Sequence, residues 1–391
     1  MSEEILINVT PRETRVAVIE NGALQETAIE RASRRGLVGN IYMGKIVRVL
    51  PGMQAAFVEI GLERAAFLHM SDIVSYQNEE EPELEITHQH ECITELLSEG
   101  QTLAVQVTKD PIGSKGARLT TRISLPSRYL VFMPDFDHVG VSQRIEDEEE
   151  RERLRVMVEQ EASEGHGGYI VRTAAEGSEA KDILANFHYL KKYWKKIQAK
   201  IKSAKPGDMI HEDLPLYLRA FRDWVSSDTE KVRIDSQEAY QKALIFIKEF
   251  IPNLEGRLEY YTSDRPLFDF YNVEDEIQKA LQRKVQLKSG GHLVIDQTEA
   301  MTTIDVNTGA FVGHRNLEET IFKTNLESAS AIARQLRLRN LGGIIIIDFI
   351  DMNDEEHKRQ VLRALEKALS RDHSKNKISE VSSLGLVEMT R

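Results

Sequence analysis

Cysteine is almost missing from this sequence: Cys92 is the single example in 391 residues. One thiol excludes an intrachain disulfide framework and any thiolate-rich zinc site, which needs about four ligands. Long apolar runs are missing too. No stretch reaches the roughly 18 residues that a membrane-spanning helix requires. The opening Met1-Ser2-Glu3-Glu4-Ile5 has neither the basic start nor the apolar core of a secretory signal, so a cytoplasmic protein is expected. Positive charge is in deficit, with a net charge of −12, which argues against indiscriminate polyanion binding by the whole surface.

What is present is the composition of a globular chain, 41% hydrophobic and 29% charged, and long enough for two to four domains at roughly 100–200 residues each. Charge is unevenly spread. Acid concentrates in Glu79–Glu83 and Glu146–Glu150, base in Lys191, Lys192, Lys195 and Lys196 and on through Lys200, Lys202 and Lys205. A lysine block of this kind serves either as a solvated helix face or as a local nucleic-acid groove, and both readings stay open. No internal repeat is found.

Two acidic strand ends carry the chemistry. One is Thr303-Ile304-Asp305-Val306-Asn307; the other runs from Gly342-Gly343 through four isoleucines to Asp348, with Asp351 close behind. Side chains alternate along a strand, so Thr303, Asp305 and Asn307 share one face. The isoleucine run reads as a strand buried on both faces of a layered α/β sheet, ending where such sheets place their ligand crevice. Asp305, Asp348 and the Asn307 amide would form a hard-oxygen site suited to Mg²⁺ and hence to phosphodiester chemistry. The competing reading is that a strand-end aspartate caps a helix or forms a turn, as expected of Asp351 before Asn353–Glu356.

Elsewhere Ile5–Thr10 and Thr14–Gly22 read as a hairpin ending at an Asn-Gly turn. Short alternating strands from Gly39 to Arg122 suggest a small β-barrel. Its Phe57 and Phe67, each after Ala-Ala, are either barrel core or base-stacking rings, and Lys109 and Lys115 stand in range of phosphates. Strands are expected at Tyr129–Met133 and Gly168–Thr173, and helices at Glu148–Ala162, Glu179–Lys202 and Val273–Lys284. Leu214–Tyr261 reads as mainly helical. A capping box at Asn316-x-x-Glu319 opens a helix with an apolar stripe from Ile321 to Leu336. Arg334, Arg337 and Arg339 are open to two readings, RNA-backbone contact or internal ion pairing.

Several long motifs stand in one order: Gly39-Asn40-Ile41-Tyr42-Met43-Gly44-Lys45, Pro51–Val58, Lys115–Thr121, Val171-Arg172-Thr173-Ala174, Asp305-Val306-Asn307-Thr308 and Arg334–Gly343. With these the chain resembles the catalytic core of the ribonuclease E/G family over essentially its whole length. The resemblance implies an α/β multidomain fold. Residues 1–38 and 215–278 would form an RNase H-like subdomain, 39–124 an S1 (OB-type) β-barrel, 125–214 a 5′-sensor region and 279–391 a DNase I-like α/β catalytic domain.

The activity implied is Mg²⁺-dependent endoribonuclease cleavage of single-stranded A/U-rich RNA, leaving 5′-phosphate ends, in rRNA processing and mRNA decay. Asp305 and Asp348 would hold the metal (Mn²⁺ being an alternative), with Asn307 in support. Phe57, Phe67, Lys109 and Lys115 would bind RNA. Arg172, Thr173, Ser127, Val131 and Lys375 would bind a 5′-monophosphate, although Ser127 replaces a family glycine and Lys375 a family arginine. The alternatives are a non-catalytic S1-type RNA-binding module and a phosphatase or small-nucleotide hydrolase. The sequence stops before the family's Cys-x-x-Cys zinc link and small domain. No zinc is therefore expected, and the family's homodimer is expected to be weakened or lost.

Overall fold

The computed structural model describes residues 2–73, 92–113, 115–162, 167–226, 228–309, 317–372, 374–382 and 384–391. The acidic run Glu79–Glu83 and the capping-box residue Asn316 lie outside them. The chain is mixed α/β and divides into two compact units. One comprises Met1–Ile29, Ser227–Tyr240 and Arg257–Arg391; the other comprises Glu30–Ser226 and Gln241–Gly256. Among the described residues no helix is long and apolar enough to cross a membrane.

In the first unit, Ile5, Leu6 and Ile7 are all fully buried because the strand Glu3–Val9 lies inside a five-stranded sheet. It pairs antiparallel with Glu13–Glu20 and parallel with Thr229–Ile234. Asn21 and Gly22, both left-handed, turn the chain into Ala23–Arg31, as an Asn-Gly hairpin turn should. The strand Thr229–Ile234 departs from the largely helical reading of this region. Its local sequence is charged, and it becomes a strand through its distant partner Glu3–Val9 rather than through intrinsic preference. The helix starting at Val273 ends at Ala280, not Lys284, because Lys284–Gln286 is already a strand.

A six-stranded sheet completes this unit, in the order Lys284–Gln286, His292–Gln297, Met301–Asn307, Ile344–Asp348, Val387–Thr390, Lys377–Val381. The helices Leu317–Leu338 and Glu355–Leu369 supply one core with Ile304, Val306, Ile345 and Ile347. The isoleucine run is thus buried on one face only: Ile345 and Ile347 are at 0% exposure, whereas Ile344 is at 48%. Among the described residues the opposite face of Met301–Asn307 and Ile344–Asp348 is exposed or half-buried.

Arg334, Arg337 and Arg339 prove to be internal ties. Arg334 donates to the Leu24 carbonyl and pairs with Glu276. Arg337 is buried against Gln25 and Glu20, and Arg339 donates to Gln335 and to the Gln282 carbonyl. These contacts, with Leu338 packing on Leu6, Ile19 and Leu24, fasten the long helix to the first sheet.

In the second unit five strands close into a barrel: Ile41–Leu50, Ala55–Glu59, Ala66–His69, Arg118–Thr120 and Thr102–Lys109, the last returning to the first. Met209–His211 adds to its rim. A four-stranded sheet (Val139–Val141, Gly168–Val171, Leu130–Met133, Leu125–Pro126) packs with the helices Glu148–Ala162 and Ala180–Ser203. The second helix buries Ile183, Phe187, Leu190 and Ile197 on one stripe and leaves Lys192, Lys195, Lys196 and Lys202 exposed opposite.

The Asp372–Arg391 pair clamps the six-stranded sheet. The carboxylate takes two bonds from the guanidinium, at 2.6 and 3.1 Å, and both side chains are almost fully buried. Arg391 also donates to the Leu341 carbonyl, and its backbone exchanges two bonds with Gly343. Breaking a buried pair from one side costs about 3–5 kcal/mol, so Asp372→Asn is expected to lower the chemical-denaturation midpoint accordingly. Burial would push the Asp372 carboxyl up, but Arg391 and the Ser374 amide hold it below the ordinary range. A lowered folded-state pKa gives stability that is present above the ordinary carboxylate range and fades as pH falls below it. The variant should therefore show a flatter acid limb than the parent, and an unchanged limb would contradict this role.

Candidate active site and RNA-contact surfaces

Met301–Asn307 and Ile344–Asp348 run parallel, and their register places Asp305 directly opposite Asp348. Adjacent strands lie about 4.8 Å apart, so the two carboxylates face each other across one inter-strand gap. Both are exposed on the open face, while Ile304, Val306, Ile345 and Ile347 anchor the same strands from below. Asn307 donates its amide to Asp305 at 2.8 Å and fixes that carboxylate. Behind it Gly291 lets the neighbouring strand close in: a Cβ there would stand 2.6 Å from the Asn307 carbonyl.

Partial burial, then the charges of Asp305 and Asp351, push the Asp348 carboxyl above its ordinary value. Asp351 contributes to this field rather than capping a helix; the cap of Glu355–Leu369 is Asp354, which accepts from the Glu356 amide. Among the described residues no group of three or more histidine, cysteine or acidic side chains could hold a metal. Two carboxylates with an amide in support nevertheless suit Mg²⁺, which keeps several waters and takes one or two protein carboxylates. They suit a softer, thiol-seeking metal poorly.

On the barrel, period-2 alternation turns Ala56, Val58, Ala66 and Leu68 inward and Phe57, Phe67 and His69 outward. Phe57 and Phe67 are cross-strand partners in edge-to-face contact at 6.3 Å, and His69 lies 6.4 Å from Phe67. Neither phenylalanine belongs to the core. Strand register extends this pair into one rung, Arg48–Phe57–Phe67–Arg118–Lys109. Arg118 is also paired with Asp72 at 2.8 Å. Lys109 ends its strand and Lys115 lies on the connection leading to Arg118, and both are exposed. Arg48, His69 and Arg118 escaped the sequence reading. His69 could have been found, being two residues after Phe67 on the same strand.

Arg172 and Thr173 follow the strand Gly168–Val171. The Arg172 guanidinium donates from Nη1 to the Ser127 carbonyl at 2.6 Å and pairs through Nη2 with Asp223 at 2.8 Å. The Thr173 hydroxyl meets that of Ser142 at 3.1 Å. Ser127 is buried, with its amide and hydroxyl both directed at the Leu130 carbonyl. Val131 stands opposite Ile170 in the adjacent ladder. The structure thus brings Ser127 and Arg172 together, with Thr173 next in the chain. Lys375 is exposed and belongs to the other unit. Asp223, the ionic partner of Arg172, gave no local signal in the sequence.

Residues 124–391 match the Ribonuclease E/G family. Ribonuclease G of Escherichia coli K12 is 57% identical over 395 residues, covering 100% of this chain and 80% of that protein. Ribonuclease G of Haemophilus influenzae is 54% identical over 388 residues, covering 99% and 79%. Ribonuclease E of Escherichia coli K12 is 40% identical over 392 residues, covering 100% of this chain and 37% of its own length. With a family match over most of its length, and such relatives across all of it, this chain belongs to the ribonuclease E/G family.

Proposed function

We propose that this protein is a Mg²⁺-dependent endoribonuclease of the cytoplasm that cleaves single-stranded, A/U-rich RNA during rRNA processing and mRNA decay and leaves 5′-phosphate ends. The observation that carries the proposal is the register of Asp305 against Asp348 on the open face of the sheet. Family membership supplies the reaction class. In this reading the five-stranded sheet forms an RNase H-like subdomain, the barrel an S1 domain, the four-stranded sheet a 5′-sensor region and the six-stranded sheet a DNase I-like catalytic domain.

Asp305 and Asp348 would hold the ion, and Asn307 keeps Asp305 in one orientation. A bound Mg²⁺ supplies a water of lowered pKa and stabilises charge on the phosphate in flight. On the barrel, Phe57 and Phe67 offer ring faces to bases while Lys109 and Lys115 meet phosphates. Arg172 and Thr173 would take a 5′-terminal monophosphate, the first through a planar fork of donors and the second through one directional hydroxyl.

Asp305→Asn and Asp348→Asn should each lower kcat by about a hundredfold or more, since each removes charge from a site worth several kcal/mol. Melting temperature and RNA affinity should stay near those of the parent, because both side chains are exposed on an open face. Asn307→Ala should do less damage. Wild-type cleavage by either aspartate variant would overturn the assignment.

Phe57→Ala or Phe67→Ala should weaken binding of a single-stranded oligoribonucleotide by about 1–3 kcal/mol if the rings stack bases. Both rings sit outside the core, so the stability loss should stay well short of the roughly 3–5 kcal/mol of a core ring. Thermal melts and binding titrations on the same samples check both halves. A strongly destabilised variant with unchanged affinity would refute stacking.

Arg172→Ala should reduce the preference for 5′-monophosphorylated over 5′-hydroxyl substrate, read as the ratio of the two kcat/KM values. Equal slowing on both would place the arginine in the general RNA path instead.

A further inference from the structure

We propose that Asp223 is the positioning residue of the 5′-phosphate contact, fixing the Arg172 guanidinium through a chain of ion pairs and hydrogen bonds that runs back to the residue before the first strand of the barrel. The inference rests on the reading of Arg172 as a phosphate ligand and adds what holds it in place. Arg222 grips Asp223, with Nε at 3.1–3.2 Å from both carboxylate oxygens and Nη2 at 2.9 Å from Oδ2. It reaches Asp213 with Nη1 at 2.8 Å, and its side chain is only 9% exposed. Asp213 is itself pinned, its amide donating to Asn40 Oδ1 at 2.9 Å and its carbonyl accepting from Arg35 at 2.6 Å. Asn40 immediately precedes the barrel strand Ile41–Leu50.

The helix that carries Arg222 and Asp223 is secured from the sensor side as well. Buried Arg128, next to Ser127, donates to the carbonyls of Phe221 and Val225 at 3.0 Å each. Two arginines and two aspartates alternate in the chain, so their charges cancel and burial is sustained. Burial would push the Asp223 carboxyl up, but Arg222 and then Arg172 hold it below the ordinary range, so it stays ionised at neutral pH.

For Arg172 the consequence is geometric. A guanidinium has five N–H donors in one plane. One on Nη1 goes to Ser127 and one on Nη2 to Asp223, which fixes the plane and leaves three donors for a ligand. Asp223 is shared between Arg222 and Arg172, so it orients the Arg172 guanidinium from one edge and leaves the other donors unclaimed by that carboxylate.

The test uses two single-stranded oligoribonucleotides, identical except for a 5′-monophosphate or a 5′-hydroxyl, cleaved by the parent, Asp223→Asn, Arg172→Ala and the double variant. Asp223→Asn should lower the ratio of the two kcat/KM values by at least about fivefold, as expected when a ligand loses its set geometry. The loss should be carried by KM on the phosphorylated substrate. Added to Arg172→Ala it should change the ratio no further, because both act through one guanidinium. A parent-like ratio in Asp223→Asn, with the ratio lost in Arg172→Ala, overturns the positioning role and leaves the phosphate reading standing. A parent-like ratio in Arg172→Ala overturns the phosphate reading and the positioning role with it. Should Asp223→Asn fail to fold, Arg172→Lys decides. An ammonium keeps the charge but cannot span Ser127 and Asp223, so a retained preference would show that charge alone suffices and overturn the proposal.

Discussion

The parallel pairing of Met301–Asn307 with Ile344–Asp348 is the constraint on which the candidate centre depends. Side chains alternate with a period of two, so a slip of one residue would send Asp305 or Asp348 into the helix-covered core and bring isoleucine to the open face. The slip is resisted by Ile304, Val306, Ile345 and Ile347, which share a core with the two covering helices. Hydrophobic packing on one face therefore sets the separation of two carboxylates on the other. The raised affinity of Asp348 for protons follows from the same register, since partial burial and the neighbouring Asp305 both disfavour its charge.

The second unit arranges positive charge differently. Arg172, Arg222 and Arg128 are committed to carboxylates and carbonyls, whereas Lys109, Lys115 and Arg48 stand exposed on the barrel. This division reconciles a net charge of −12 with local surfaces able to meet phosphates. Guanidinium forks tied at both ends serve geometry; lysines on flexible stems serve long-range attraction.

How much could be read without coordinates depended on the range of the interaction. The outward turn of Phe57 and Phe67 was not decided by the residues alone, which allowed barrel core as well; strand pairing decides it, with Ala56, Val58, Ala66 and Leu68 taking the inner face. Asp305 and Asp348 were legible because each closes an apolar segment. The isoleucine run misled, because a strand covered by helices on one face alone carries Ile344 and Ile346 outward with no polar residue to mark it. Arg334, Arg337 and Arg339 misled for a related reason: clustered arginines look alike whether their partners are phosphates or distant backbone carbonyls such as that of Leu24. Thr229–Ile234 and the tie from Arg172 to Asp223 both depend on partners far along the chain, where periodicity and capping rules have no reach.

The rung of Arg48, Phe57, Phe67, Arg118 and Lys109 can gather little information. Every base has an aromatic face and every nucleotide a phosphate, so a surface of rings and cations collects almost no knowledge of which letters it holds. If RNA lies there as proposed, the barrel measures only that a strand is unpaired and polyanionic. Choice among transcripts must then be made where single atoms are distinguished, at the cleavage centre and at the terminal phosphate. A grip so indifferent to spelling would let one protein serve many messages, and would leave the decision about each of them to a few side chains.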